Sequence, residues 1–242
     1  MLREMELARQ IQLSLLPTAP PLLPGVRLAG CCVPAAHVGG DYYDYFRREN
    51  GIVDMVVADV SGHSIGAALM TSEVRSVLRA NVHLFDSSGA VLAALNDILY
   101  EDLNRAGLLI TIFYLKYDVS TRILTYSNAG HVPPLLVRGT RAEYQDLDAE
   151  GLILGIRKGV AFEEKRLVLE AGDLLLLYTD GISEAQNSSG EMFGRDRLCE
   201  ILKARREDEP DEIIDAVLRE VTAFAGAQNL EDDVTMIVMK VE

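Results

Sequence analysis

Aspartate side chains lie at the ends of three apolar segments of this sequence. Asp59 closes the strand-like run IVDMVVAD, and Asp180 follows the run LLLLYT. Asp232 and Asp233 directly precede the run VTMIVMKV. A carboxylate in such a place loses hydration and needs a cation or hydrogen-bond donors in compensation. These four residues are therefore the first candidates for chemistry.

The sequence offers no fixed cation beside the first of these aspartates, because it contains no Lys or Arg between Arg48 and Arg75. The partner must come from elsewhere in the fold, from water or from a metal ion. If the three segment ends converge, a hard cation with oxygen ligands is the simplest relief of their mutual repulsion. The pattern thus points to a divalent-cation site.

The segment HVGGDYYDYF, residues 37–46, contributes a further acid. Gly39 and Gly40 permit a tight turn that presents Asp41. The alternative is a plain hairpin with one face covered by tyrosines, and this segment alone does not decide between them.

Apolar periodicity predicts the elements that must position these acids. Helices are expected at 2–16, 64–81, 88–105, 195–204 and from 210, and strands at 26–33, 53–58, 108–118, 122–131, 135–137, 142–145, 165–169, 174–180 and 234–241. Ser64 can cap the second helix. Antiparallel-looking strand pairs, helices in blocks and the lack of an internal repeat indicate a layered α+β fold.

The first predicted helix carries an apolar stripe that includes Leu7, Ile11 and Leu15, and the Pro-rich segment TAPPLLPG follows it. The stripe either caps the domain or serves a linker that dimerises or docks an upstream module. Periodicity alone does not choose between these roles.

Composition limits the functional classes. The 242 residues are 49% hydrophobic, which is enough for a substantial core, and the formal charge of −14 opposes binding to nucleic acid or to an anionic membrane. Three cysteines without CxxC spacing fit a reducing, cytoplasmic setting. We expect neither a signal peptide nor a transmembrane helix, because the sequence shows no apolar run of membrane-spanning length.

Five blocks together carry a resemblance to a known family. HVGGDYYDYF, VVADVSGHSIGAALM, YSNAGHVPPLLV, LLLYTDGISEAQN with GEMFGRDRL, and LEDDVTMIVM follow the order and spacing of one branch of metal-dependent phosphatases. The sequence resembles the SpoIIE/RsbU branch of PPM-type serine/threonine protein phosphatases over nearly its whole length. Several blocks in series are more specific than any single DG dipeptide.

The resemblance implies an α+β, PPM phosphatase-like sandwich of two antiparallel β-sheets flanked by α-helices, with two divalent cations, Mn²⁺ or Mg²⁺, at one end. It implies that residues 1–24 form a regulatory linker helix and Pro-rich connection, and that residues 25–242 form the phosphatase domain. The implied metal ligands are Asp41, Asp59 with the Val60 backbone carbonyl, Asp180 and Asp232, with Asp233 as a less certain neighbour.

The implied activity is hydrolysis of phosphoserine or phosphothreonine by metal-activated water, so Asp59, Asp180 and Asp232 act through the metals. In the wider superfamily a histidine two residues beyond the bridging aspartate is a proposed general acid. Ser61 stands at that place here, which leaves His63 as a candidate proton donor. His131, before two prolines, is a candidate for shaping the substrate loop.

The resemblance also implies partners. These are a phosphorylated STAS-type anti-anti-sigma protein in bacterial partner switching, and an upstream sensory or response-regulator domain that acts through the N-terminal helix. A homodimer is a further option. In this branch the helices at 64–81 and 88–105 look like switch elements that respond to the linker and complete the metal site.

Three other classes fit the sequence less well. A serine hydrolase lacks its G-x-S-x-G elbow here, and a zinc enzyme lacks clustered His or Cys ligands. The stronger alternative is a catalytically silent pseudophosphatase that acts as a partner-binding signalling module. The presence of every carboxylate in the matching blocks favours the enzyme.

Overall fold

The computed structural model describes residues 2–62, 64–139, 144–226 and 230–242, with Asn50 described by its backbone alone. Six helices have the bounds α1 Leu2–Leu15, α2 Ile65–Asn81, α3 Ser88–Ala106, α4 Asp180–Ser183, α5 Arg195–Ala204 and α6 Pro210–Ala225. Ten strands have the bounds β1 Val26–Val33, β2 Asp41–Arg47, β3 Ile52–Val60, β4 Ile110–Asp118, β5 Ile123–Ala129, β6 Leu135–Val137, β7 Tyr144–Asp146, β8 Lys165–Val168, β9 Leu174–Tyr178 and β10 Val234–Val241.

The strands form two five-stranded antiparallel sheets. One sheet has the order β1-β10-β9-β6-β7 and the other has the order β2-β3-β4-β5-β8. Helices α2 and α3 pack on the second sheet, whereas α5 and α6 pack on the first. The predicted α+β sandwich flanked by helices is therefore confirmed.

Three apolar layers hold the sandwich together, and strand periodicity explains them. In β3, Val53, Met55 and Val57 enter the core between the sheets, while Val56 and Ala58 enter the core under α2 and α3. A third core lies between the first sheet and α5 and α6. Because both faces of the central strands are buried, these strands are continuous apolar runs in the sequence.

A buried ion pair fixes the connection between α2 and α3. Asp54 in β3 is fully buried and pairs with the Arg48 guanidinium, whose Nη1 also donates a hydrogen bond of 2.8 Å to the carbonyl of Phe85. Phe85 lies in the turn between the two helices. The connected end of the α2–α3 pair is thus attached to the second sheet.

Most predicted elements agree with the structure, and Ser64 caps α2 by accepting a hydrogen bond from the Ala67 amide. The sequence predicts that Asp180 closes a strand, but β9 ends at Tyr178 and Asp180 is the first residue of α4. The predicted strand at 142–145 lies partly outside the described residues.

The apolar stripe of α1 does not cap a core, since no residue of this helix is buried. Leu7 and Ile11 are more than half exposed. No helix in the described ranges is long and apolar enough to cross a membrane.

Candidate metal centre

Two of the candidate acids lie opposite each other on neighbouring strands. Asp41 begins β2 and is the antiparallel register partner of Asp59 near the end of β3. Asp41 is buried, Asp59 is half-buried, and Thr179 donates a 2.7 Å hydrogen bond from its hydroxyl to the Asp41 carboxylate. The turn at Gly39 and Gly40 therefore presents Asp41 at one end of the sandwich.

The other sheet brings the remaining acids to this end. Thr179 and Asp180 follow β9, and Asp232 and Asp233 precede β10, which pairs with β9. Thr179 also exchanges two 3.0 Å hydrogen bonds with the backbone of Thr235 in β10. A single threonine therefore joins the two sheets beside the acids. Only its position before Asp180 distinguishes it in the sequence, so sequence reasoning missed it.

Asp233 is bonded to backbone amides. Its Oδ1 accepts a 2.8 Å hydrogen bond from the Ala35 amide, and its Oδ2 accepts a 2.7 Å hydrogen bond from the Gly40 amide. The side chain is almost completely buried. Asp233 thus holds the turn that leads to Asp41, and the ligand role predicted for it stays a prediction.

Two glycines allow close approach of backbone oxygens at the site. An ideal Cβ on Gly40 would lie 2.3 Å from the Val60 carbonyl oxygen, 2.9 Å from the Gly62 carbonyl oxygen and 3.3 Å from Asp59 Oδ1. Two carbonyl oxygens and one carboxylate oxygen therefore converge beside Gly40, and only a glycine permits their close approach. A Cβ on Gly181 would lie 2.0 Å from the backbone oxygen of Asp233, which explains the glycine of the DG dipeptide.

The electrostatics show that the acids repel one another. Burial raises the pKa of Asp59 to about 7, and neighbouring negative charges, those of Asp180, Asp232 and Asp233, add to the rise. Burial and the charge of Asp59 raise the pKa of Asp41 well above its usual value.

The pKa of Asp180 is also raised, by burial and then by the charge of Asp232. Within the described ranges, none of the five acids forms an ion pair with Lys or Arg. Among the residues that the structure describes, no Lys or Arg side chain therefore offsets the charge of the cluster.

The donor set suits a hard divalent cation, because it consists of carboxylate and carbonyl oxygens. The convergence of three oxygens beside Gly40 supports this fit. In the part of the chain that the structure describes, however, no group of three or more His, Cys, Asp or Glu side chains is arranged to hold a metal ion. The described acids converge from both sheets without forming one closed set of ligands.

Of the two candidate histidines, the structure describes only His131. His63 lies outside the described residues, so its predicted role as proton donor stays a prediction. His131 is buried, and burial lowers the pKa of its imidazole to about 4, so the ring is neutral at physiological pH.

The hydrogen bonds of His131 define its tautomer. Its Nε2 lies 3.1 Å from the Tyr178 carbonyl oxygen, which only accepts, so Nε2 carries the proton. Nδ1 then accepts from the Thr111 hydroxyl at 2.8 Å. Thr111 is the register partner of Asp59, and Tyr178 is two residues before Asp180. His131 is thus a buried link between β4, which pairs with the strand of Asp59, and β9, which Asp180 follows.

Solved structures with this fold include phosphatase domains. The SiaA PP2C domain of Pseudomonas aeruginosa superimposes with a TM-score of 0.88 at 22% identity, covering 99% of this chain and 96% of that one. RsbX in complex with magnesium superimposes with a TM-score of 0.69 at 14% identity, covering 92% of this chain and 98% of that one. The fold is that of PPM-class (PP2C) protein phosphatase domains.

Sequence comparison gives the family. The family model described as Stage II sporulation protein E (SpoIIE) matches residues 49–242. The phosphoserine phosphatase RsbU of Bacillus subtilis is 29% identical over 237 residues, which are 98% of this chain and 70% of RsbU. The phosphoserine phosphatase RsbP of the same organism is 26% identical over 243 residues, covering 99% of this chain and 58% of RsbP. The chain belongs to the SpoIIE family, and it is a serine/threonine phosphatase of the PPM class.

Proposed function

We propose that this domain hydrolyses phosphoserine or phosphothreonine on a protein, using two divalent cations, Mg²⁺ or Mn²⁺. The observation that carries the proposal is the convergence of five aspartates, with no Lys or Arg partner among the described residues, beside the Val60 and Gly62 carbonyl oxygens that approach Gly40. Asp59, Asp180 and Asp232 hold the cations together with the Val60 carbonyl, and Asp41 serves the second cation. When bound, such a pair lowers the pKa of water and neutralises phosphoryl charge.

The chain's own groups fix this arrangement. Thr179 orients the Asp41 carboxylate, and Asp233 holds the amide of Gly40. His131 is buried and bonded at both ring nitrogens, so its part is to link the strands rather than to exchange a proton with substrate. His63 remains the candidate general acid.

We further propose that the substrate is a phosphorylated STAS-domain protein of a bacterial partner-switching system, and that the protein acts in the cytoplasm. The kinship to RsbU and RsbP supports the substrate class. The three unpaired cysteines, Cys31, Cys32 and Cys199, support a reducing compartment.

The division into a linker at 1–24 and a phosphatase domain at 25–242 is part of the same proposal. Helix α1 buries no side chain against the domain, and its exposed Leu7 and Ile11 suit an upstream module or a second copy of the chain. Helices α2 and α3 are the proposed switch elements that respond to such a partner.

One observation favours the second candidate, a pseudophosphatase that only binds its partner. The described acids do not form a closed set of three ligands. Such a module would keep its affinity for the partner when metal is removed, whereas the enzyme needs the metal for turnover.

The deciding experiment is phosphate release from a phosphoserine STAS-type protein with and without Mn²⁺. The wild-type chain is compared with Asp180→Asn and with the matched control Asp148→Asn, because Asp148 is an exposed acid that pairs with Lys165. Release that needs Mn²⁺, survives in the control and disappears in Asp180→Asn supports the enzyme. Partner binding without Mn²⁺ uptake or turnover supports the pseudophosphatase.

A further inference from the structure

Three arginines line one pocket at the edge of the second sheet. Arg47 is the last residue of β2, which is an edge strand, and Arg75 and Arg79 lie on α2. The pocket has a volume of about 330 Å³, which is at the lower end of the range for small-molecule sites. Its other walls include the end of α1 and part of the Pro-rich segment that follows. We call it the arginine pocket.

The arginine pocket carries an unbalanced positive charge. Asp44 is the single acid among its described lining residues, and this carboxylate is fully buried. It pairs with Arg79 at 2.8 Å and accepts hydrogen bonds from the Tyr42 hydroxyl at 2.7 Å and from the Tyr45 amide at 2.8 Å. Three donors therefore satisfy Asp44. Two of the three arginine charges are left without a counter-ion among the described residues.

The other two arginines keep free N–H groups. Within the described part of the chain, the Arg47 side chain makes no hydrogen bond and no ion pair. Arg75 donates from Nε to the Leu15 carbonyl at 2.7 Å, and its two terminal nitrogens have no partner among the described residues. A guanidinium presents paired N–H groups that fit two oxygens of one phosphate. Free donors of this geometry in one cavity favour an anion with several oxygens.

The arginine pocket is separate from the metal centre. From Asp41 to Arg47 the strand β2 runs for about 20 Å. From Thr71 to Arg79 the helix α2 runs for about 12 Å. Thr71 donates a 2.9 Å hydrogen bond to the Gly40 carbonyl, so it marks the end of α2 that lies near the acids. An anion in the arginine pocket therefore needs no cation at the metal centre for binding.

We propose that the arginine pocket binds the phosphate group of a small phosphorylated molecule. Arg47 and Arg75 contact the phosphoryl oxygens, and Arg79 contributes its charge while it stays paired with Asp44. The formal charge of −14 repels anions from much of the molecular surface, so binding depends on these few cations. The inference goes beyond the proposed metal-dependent function and does not rest on it.

The test is titration calorimetry on the full chain in EDTA, with inorganic phosphate and pyrophosphate as separate probes. EDTA removes divalent cations, so the aspartate cluster repels both probes. Arg47→Gln removes one free guanidinium and breaks no bond to another described residue. The matched control is Arg219→Gln, because Arg219 on α6 is also exposed and its side chain makes no hydrogen bond or ion pair within the described ranges. Arg47→Lys keeps the charge but loses the paired N–H groups.

We expect the wild-type chain to bind at least one probe at one site with a Kd below about 1 mM. Arg47→Gln should raise this Kd about 10-fold or more, because it removes hydrogen bonds to a charged group. Arg47→Lys should raise it by a smaller factor, and Arg219→Gln should change it less than about twofold.

The two probes also identify the ligand. Tighter binding of pyrophosphate supports a diphosphate ligand, whereas equal or weaker binding of pyrophosphate supports a single phosphate group. A wild-type chain that binds neither probe, or equal Kd values for Arg47→Gln and Arg219→Gln, would overturn the inference. The proposed phosphatase activity would be unaffected by that result, since it is measured separately with Mn²⁺.

Discussion

Replacing His131 by Gln should remove a large part of the acid sensitivity of this domain. The imidazole is buried and neutral, and burial holds its pKa near 4. In the unfolded chain the ring takes up a proton as the pH falls below about 6.5. The folded state takes it up only near pH 4, so folding loses stability as the pH falls through this window.

The magnitude follows from the difference between the two pKa values. A lowering from 6.5 to about 4 corresponds to about 3 kcal/mol of unfolding free energy, most of which is lost by pH 4.5. For a chain of this size, 1 kcal/mol changes the Tm by about 2–4 °C. The ring should therefore account for roughly 5–10 °C of the fall in Tm between pH 7.5 and pH 4.5.

The assay is thermal or urea unfolding at both pH values for the wild type, for His131→Gln and for His83→Gln as a matched control on an exposed histidine. Gln keeps an N–H for the Tyr178 carbonyl but does not titrate. The raised carboxylate pKa values at the site act in the opposite direction, since their extra proton uptake stabilises the fold in acid. That contribution is shared by all three chains and cancels in the comparison.

Equal pH dependence in the wild type and His131→Gln would refute the reasoning, because it would mean that the folded ring titrates as freely as the unfolded one. The NMR titration of the imidazole gives an independent check. A midpoint near 4 is expected, and a midpoint near 6.5 contradicts the burial argument.

Three further predictions concern the site itself. Gly40→Ala should abolish Mn²⁺ binding in calorimetry, since the added Cβ would lie 2.3 Å from a carbonyl oxygen, while Gly66→Ala in α2 should bind normally. Thr179→Val should lower the free energy of unfolding by about 1–3 kcal/mol in urea, because the buried Asp41 carboxylate loses the hydrogen bond from the Thr179 hydroxyl. Thr179→Ser keeps a hydroxyl at this position and should restore the wild-type stability. Mn²⁺ at about 100 times its Kd should stabilise the wild type by about 2.7 kcal/mol in thermal unfolding, and the same concentration should leave the Tm of Asp180→Asn nearly unchanged.

Local sequence patterns predicted most of the fold. Strands buried on one or both faces and amphipathic helices leave periodic apolar signals, so β1, α5 and β10 have the predicted bounds. The exception at Asp180 has a local cause, since Thr179 and Asp180 start a helical turn directly after the apolar run. Apolar periodicity predicted α1, but it does not tell which surface packs against the apolar stripe of this helix.

The site was predictable as a set of acids but not as a network. Asp59, Asp180 and Asp232 can be found from their places at the ends of apolar runs. The bond from Gly40 to Asp233, however, joins residues 193 positions apart, and no local pattern encodes that distance. The role of His131 likewise depends on burial between two sheets, which sequence alone does not give.

The hydrogen bond from Arg48 to the Phe85 carbonyl limits how α2 can move. This helix of 17 residues is about 25 Å long, and it is anchored at the end far from the acids. A pivot of about 5° at that anchor displaces the opposite end by about 2 Å at this helix length. The largest displacement therefore falls on the N-terminal end of α2 at Ile65. Thr71, which bonds the Gly40 carbonyl, lies about 15 Å from the anchored end and would move by about 1.3 Å.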